Sequence, residues 1–204
     1  MSAQVLSVSL PSEIIYVSGT VNGTAYTWTL IEGAWTATVE RAADDTYAVA
    51  LTAVTAAGVS TNYTLTLYYG LLSLITDRTR ADVANQTDKG FYNASDLNRV
   101  GAAVEYIAGR FTALGYACPV TVKKDWLTSD APTASQMETY RQNIVTLRSR
   151  IAVMASTPEA PASMAGLNYV KANNIEQILL DLDALIDKLI KSWCFSGELY
   201  AGEV

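Results

Sequence analysis

The spacing of apolar residues changes near Leu71, and this change limits the chain to two kinds of structure joined in series. Before Leu71, apolar side chains alternate with Thr, Ser and Ala; after it, they recur every three or four positions. A period of two places side chains on one face of a β-strand, whereas a period of about 3.6 places them on one face of an α-helix. The sequence therefore predicts an α+β protein with two segregated modules, residues 1–70 and residues 71–204.

The first module has the alternation typical of short strands. Turn-forming residues separate the segments, among them Asn22-Gly23, Glu32-Gly33 and Gly58. Short strands at nearly regular spacing favour an antiparallel β-sandwich over a sheet with crossover helices. The alternating segments are QVLSVSL, IIYVSGTV, AYTWTLI, AWTATVE, TYAVALTAV and NYTLTLYY.

The second module contains three long segments whose apolar residues follow steps of three and four. They predict helices over about 94–114, 133–154 and 168–193, after a shorter helix over about 78–87. The residues of these stripes are Leu97, Val100, Val104, Ile107, Phe111 and Leu114; Met137, Tyr140, Ile144, Leu147, Ile151 and Met154; and Ile175, Ile178, Leu182, Leu185 and Leu189, with Leu179, Ile186 and Trp193 widening the last stripe.

This spacing belongs to helices that pack about 20° from parallel. With connections long enough to reverse the chain, it predicts an antiparallel three-helix bundle in which Val104, Ile144 and Leu182 face a shared core. A coiled coil between chains is the alternative, because the same stripes can also pair between molecules.

Composition argues against most catalytic and metal sites. The chain has no His, which removes the most common general base and metal ligand, and it has only two cysteines, Cys118 and Cys194. A disulfide between these two is one hypothesis, and free thiols are the other. The net charge of −6 is unfavourable for binding nucleic acid. We therefore expect no catalytic residue, no cofactor and no metal, and hence no enzyme.

Acidic pairs are the remaining candidates for a metal site. Asp44 and Asp45 favour a turn, since calcium takes about six to eight oxygen ligands. Glu176, Asp183 and Asp187 lie near one another on the last predicted helix, and without a His partner we interpret them as a solvated face.

Two further segments carry apolar residues outside the stripes. In the connection between the helices predicted over 94–114 and 133–154, VTVK alternates like a strand. Trp126, in the same connection, is expected to pack over an end of the bundle. The C-terminal residues Phe195, Leu199 and Tyr200 either pair with that strand-like segment or form a contact with a partner protein.

Nothing in the sequence indicates export or membrane insertion. The N-terminus lacks the basic and apolar regions of a signal peptide, and no run approaches the roughly 18 apolar residues of a membrane span. We expect synthesis and folding in the cytoplasm.

The segment ADDTYAVALTAVTAAGVS resembles bacterial immunoglobulin-like modules, in which an acidic turn leads to a Tyr and an alternating strand. The resemblance implies an immunoglobulin-like form of the sandwich. It also places Tyr47 at the position of the corner tyrosine, which is a structural role.

An ordered set of segments between residues 71 and 204 resembles structural proteins of tailed bacteriophages and prophages of gut-type Gram-positive bacteria. Members often carry a longer insert with Trp and Glu, where this chain has only ANQTDKG. The resemblance implies a place in the virion, in its tail, and offers no catalytic motif. The segments are LITDRTRADV, FYNASDLNRVGAAVEYIA, PTASQMETYRQNIVTLR, NNIEQILLDLDALI and SGELYAGEV.

The expected function is that of a non-enzymatic tail or accessory virion protein, which binds other virion proteins or copies of itself. The helical module would attach to the particle, and the β module would be displayed or bind a surface. The alternative is a carbohydrate- or cell-surface-binding module for host glycans, with an aromatic platform formed by Trp28, Trp35, Tyr68 and Tyr69.

Overall fold

A computed structural model describes residues 3–42, 46–69 and 74–192 of the chain. They form an α+β structure in which two antiparallel sheets precede the helices. The strands are β1 (Ala3–Val8), β2 (Ile14–Val21), β3 (Thr24–Thr27), β4 (Thr29–Ile31), β5 (Ala34–Glu40), β6 (Thr46–Thr55) and β7 (Ser60–Tyr68).

The two sheets contribute to one apolar core. One has the order β1-β5-β4 and the other the order β3-β2-β6-β7. In β1, β5, β6 and the second half of β7, alternate residues point inward, as the period of two predicts. The core residues include Leu6, Val8, Val17, Trp28, Trp35, Val39, Tyr47, Val49, Leu51, Leu65 and Leu67.

The predicted turns at Asn22-Gly23 and Glu32-Gly33 are confirmed. Asn22 and Gly23 have φ of 49° and 80°, and Glu32 and Gly33 have φ of 50° and 83°. Two successive residues with positive φ match the right-handed twist of the flanking strands, so each pair closes a tight hairpin.

The predicted third strand, AYTWTLI, is wrong as a single element. It divides at Trp28 into β3, which pairs with β2, and β4, which pairs with β5 in the other sheet. The Trp28 side chain is buried in the core between the sheets, and the chain changes sheets at that residue. Leu30, which continues the alternation of Tyr26 and Trp28, is 52% exposed on β4, an edge strand.

The helical part begins with a short helix, as predicted. Helix α1 spans Arg80–Ala84 and is followed by a 3₁₀ turn, Asp88–Gly90. The long helices are α2 (Ala94–Ala113), α3 (Ala134–Arg148) and α4 (Tyr169–Ser192). Thr79, Asn93 and Thr133 cap α1, α2 and α3 through their side chains, each in a reciprocal capping box.

Helices α2, α3 and α4 pack against one another around a second core. Val104, Ile144 and Leu182 are 2%, 0% and 0% exposed, so their predicted inward orientation is confirmed. Leu179 and Ile186 join Ile175, Ile178 and Leu182 in this core, whereas Leu185 and Leu189 are only half-buried.

Helix α3 ends six residues before its predicted end at 154. The guanidinium of Arg148, the last residue of α3, donates to the carbonyl oxygen of Pro158 at 2.7 Å and so binds the loop that follows the helix. Ile151 lies in that loop and packs against the helical core. Its place in the apolar spacing of the predicted helix therefore reflects burial and not helical structure.

The strand predicted for VTVK is also wrong, because residues 119–127 contain none. The backbone of Thr121 bonds instead to the side chain of Asn143 on α3, which accepts from its N–H at 3.1 Å and donates to its carbonyl oxygen at 2.7 Å. We call residues 119–131 the strap, because they run between the helices and the sheets.

Candidate functional site

Four buried charged side chains meet between the start of α2 and the first half of α4. We call Arg78, Asp96, Arg99 and Glu176 the charge cluster; their side chains are 1%, 5%, 8% and 0% exposed. Arg78 lies 2.8 Å from Asp96 and 2.8 Å from Glu176. Arg99 lies 2.6 Å from Asp96 and 3.1 Å from Glu176. Each cation therefore contacts both anions.

Local helix structure positions Asp96 within the charge cluster. Its Oδ2 accepts from the backbone N–H of Asn93 at 2.9 Å as part of the capping box of α2. Its Oδ1 is left to accept from the two guanidinium groups. Asp96 is thus both the capping-box partner of Asn93 and a buried counter-ion for two arginines.

Glu176 fastens the segment before α1 to α4. Its Oε2 accepts from the backbone N–H of Ile75 at 2.5 Å. One α-helical turn earlier, the amide of Asn173 accepts from the backbone N–H of Arg78 at 3.1 Å and donates to its carbonyl oxygen at 2.8 Å. Helix α4 therefore binds this segment through the backbone of Ile75 and Arg78 and through the side chain of Arg78.

The charge cluster has no net charge, and its carboxylate oxygens are all hydrogen-bonded. Two positive and two negative groups cancel, and all four carboxylate oxygens accept hydrogen bonds from the protein. Burial by itself lowers the pKa of Arg99, but Glu176 and Asp96 outweigh this effect and raise it above its usual range. The two carboxylates thus act as counter-ions to the two arginines.

Two tyrosines, the half-buried Tyr92 and the buried Tyr140, lie beside the charge cluster. The guanidinium of Arg78 lies 5.3 Å from the centre of the Tyr92 ring, and the Tyr92 hydroxyl is hydrogen-bonded to that of Tyr140 on α3. Burial raises the pKa of both phenols well above the usual range, so both stay neutral. They link α3 to the cluster without adding a charge.

Asn98 on α2 joins the helices to the four-stranded sheet. Its Nδ2 donates to the carbonyl oxygens of Thr66 on β7 and Trp126 in the strap, at 3.1 and 3.0 Å. Its Oδ1 accepts from the Trp126 N–H at 2.7 Å. Strand β7 is an edge strand, and this contact uses one of its outward carbonyl groups.

The strap also reaches the three-stranded sheet. Asp125 accepts from the backbone N–H of Ser9 at 2.5 Å and from the Lys123 ammonium at 2.7 Å. Leu127 is buried among the residues of the β core. Lys124 lies 4.9 Å from the centre of the Tyr69 ring. The strap thus contributes both polar and apolar contacts to the sheets. Trp126, predicted to pack over an end of the bundle, is buried in the core of the helices.

The interpretation of Glu176, Asp183 and Asp187 as one solvated face is wrong for Glu176. Glu176 is buried in the charge cluster because two arginines compensate its charge. Asp183 and Asp187 instead bind Arg110 of α2 near the surface, Asp187 at 2.6 Å. Spacing along one helix could not distinguish these environments.

The aromatic platform is also wrong, because two of its four members are buried. Trp28 and Trp35 are 5% and 6% exposed and belong to the core between the sheets. Tyr68 and Tyr69 are half-buried, and Tyr69 packs edge-on against Tyr47 at a ring distance of 5.6 Å. The four rings therefore do not form one open stacking surface.

Other residues predicted for a site lie outside the described part of the chain. This applies to the candidate partner contacts Phe195, Leu199 and Tyr200, and to the acidic pair Asp44-Asp45. Cys118 is buried, and its hypothetical partner Cys194 lies outside as well. Within residues 3–42, 46–69 and 74–192, no His, Cys, Asp or Glu side chains gather in a group that could hold a metal ion.

Sequence reasoning missed Arg78, Asp96, Arg99 and Asn98. One signal was present, because Asp96 and Arg99 stand three residues apart, a spacing typical of ion pairs on a helix. Their partners on other elements could not be found from that spacing.

Comparisons with family models, with curated proteins and with solved structures give no match to this chain. Among the residues that the structure describes, no helix combines the length and the apolar character needed to cross a bilayer.

Proposed function

We propose that this chain is a non-enzymatic structural protein of a tailed phage or prophage virion, located in the tail or an accessory structure. In this proposal the β module is an immunoglobulin-like sandwich that is displayed or binds a surface. The helical module is an antiparallel three-helix bundle that attaches to other virion proteins or to a second copy. The resemblance of the segments between residues 71 and 204 motivates the proposal.

Two features support the proposed fold types. The hydroxyl of Tyr47 accepts a hydrogen bond from the backbone N–H of Ala42 at 3.0 Å, which is the kind of bond that a corner tyrosine forms. The mutual packing of α2, α3 and α4 through their apolar stripes is consistent with a bundle closed within one chain.

The observation that carries the proposal is the set of polar contacts that join α2 and the strap to the β part. Asn98 binds the backbone of Thr66 on β7, and Asp125 binds the backbone of Ser9, the residue after β1. The charge cluster in turn joins the segment before α1 to α2 and α4. Such an arrangement transmits force between a displayed module and an attached one, because the junction has few groups left to rearrange. It supports a scaffold better than a reactive site.

The test is the composition of particles from a lysogen that encodes this chain. Particles induced from the lysogen and purified by density gradient should contain the chain in fixed proportion to the major tail protein, as measured by quantitative mass spectrometry. Antibody raised against the β module should label the tail in electron micrographs.

A deletion strain supplies the control. Particles from a lysogen that lacks the gene should lose the antibody label, and supply of the chain from a plasmid should restore it. Recovery of the chain only in the particle-free lysate, with unaltered particles from the deletion strain, would contradict the proposal.

A further inference from the structure

A cavity of about 210 Å³ lies between α2, α3 and the strap. Its inner wall is formed by buried residues, among them Val104, Trp126 and Tyr140. Its other end is lined by Thr121 and Thr139, which are exposed. A small molecule can therefore enter from solvent and reach the apolar inner wall.

Three of the polar side chains that line this cavity have partners within the protein. The amide of Asn143 bonds to both backbone groups of Thr121. The hydroxyl of Tyr140 pairs with that of Tyr92, and the hydroxyl of Thr139 donates to the carbonyl oxygen of Ser135 at 3.1 Å. An enclosed water needs about two to four polar partners. The inner wall at Val104, Trp126 and Tyr140 offers few, so an apolar occupant competes well there.

The size of the cavity indicates the size of that occupant. An apolar cavity of about 150 Å³ in another protein stays dry and binds benzene. The present cavity is larger, and the indole ring of Trp126 supplies part of its wall. We propose that it binds a small uncharged molecule with one aromatic ring or two fused rings. This inference goes beyond the proposed function and does not depend on it.

The test uses benzene and indole as probes with the full chain. Each is titrated while the methyl signals of Val104 and Val122, both of which line the cavity, are followed by NMR. We expect saturable shifts of these methyl groups, contacts between the probe protons and Val104, and a rise in the midpoint of thermal unfolding. The rise follows because a ligand that binds only the folded state stabilises it.

Two matched threonine variants locate the binding. Thr139→Phe places a ring at the entrance and should weaken binding at least about tenfold, since a packed cavity leaves no room for a second ring. Thr112→Phe is the control, because Thr112 is an exposed α2 residue whose hydroxyl also bonds four residues back, to Ala108 at 2.9 Å. It does not line the cavity and should bind the probes as the wild type does.

Two results would overturn the proposal. One is the absence of saturable methyl shifts with both probes up to their solubility limits. The other is equal binding by wild type and by a Thr139→Phe protein whose thermal unfolding shows that it is folded.

Discussion

Asn98 forms hydrogen bonds with both backbone groups of Trp126, accepting from its N–H at 2.7 Å and donating to its carbonyl oxygen at 3.0 Å. The second amide hydrogen of Asn98 bonds to Thr66 on β7. Because Asn98 is fully buried, its side chain takes the place of water as the hydrogen-bonding partner of all three backbone groups. This residue connects a helix, the strap and a sheet.

Replacing Asn98 with Leu should lower the free energy of unfolding by about 2–4 kcal/mol, because it leaves buried backbone groups without partners. Urea denaturation measures this loss. Asn62→Leu is the control: Asn62 is exposed on β7, its amide oxygen accepts from the Thr52 hydroxyl at 2.9 Å, and its replacement should cost less than about 1 kcal/mol. Similar losses in the two variants would show that Asn98 has no special role in the junction.

Replacing Glu176 with Gln should destabilise the protein strongly. The change keeps the shape of the side chain but leaves Arg78 and Arg99 with one counter-ion, and breaking a buried ion pair in this way costs about 3–5 kcal/mol. Asp187→Asn removes an acid of α4 whose side chain is 53% exposed and should have a much smaller effect. Chemical denaturation of both variants at one pH compares them directly; equal effects would contradict the role of the charge cluster.

Glu176 also illustrates the limit of reasoning from sequence. The stripe that contains Ile175, Ile178 and Leu182 could be predicted, because the spacing within one helix determines which residues share a face. Glu176 has a partner, Arg99, 77 positions earlier, and no periodicity relates two residues so far apart. Its burial depends on how helices pack, which the pattern of a single helix does not contain.

The division of the predicted third strand has a similar cause. Alternation continues through Trp28, so the local pattern favours one strand, yet the residues before and after it pair with different sheets. Tight turns such as Asn22-Gly23 could be predicted because their backbone conformation follows from the residue types themselves. The junction at Asn98 could not, since a polar residue on a helix is usually exposed.

The half-buried Tyr69 should make stability depend on pH in the alkaline range. Burial, the largest cause, raises the pKa of Tyr69 to about 12, above its ordinary value of 10.0. Since the folded state holds this proton more tightly than the unfolded state, the contribution is fully present below pH 10 and is lost as the pH rises towards 12.

An ultraviolet titration of tyrosinate checks this prediction. The difference between wild type and Tyr69→Phe isolates one phenol, and its midpoint should lie near 12 while the protein remains folded. A midpoint near the ordinary tyrosine value would mean that the Tyr69 hydroxyl is in contact with water.

Two glycines of α2 provide a test of how closely the strap packs on that helix. A Cβ added to Gly101 would lie 2.9 Å from the carbonyl oxygen of Lys123 and 3.1 Å from a methyl group of Val122, so the strap would have to move. We expect Gly101→Ala to lower the free energy of unfolding by about 1–3 kcal/mol, as overpacking does. Gly109→Ala meets no atom within 4 Å and should raise stability by about 0.5–1 kcal/mol, because Ala favours the helix. Thermal and urea unfolding of both variants should therefore give changes of opposite sign, and a stabilised Gly101→Ala protein would mean that the strap does not lie against α2.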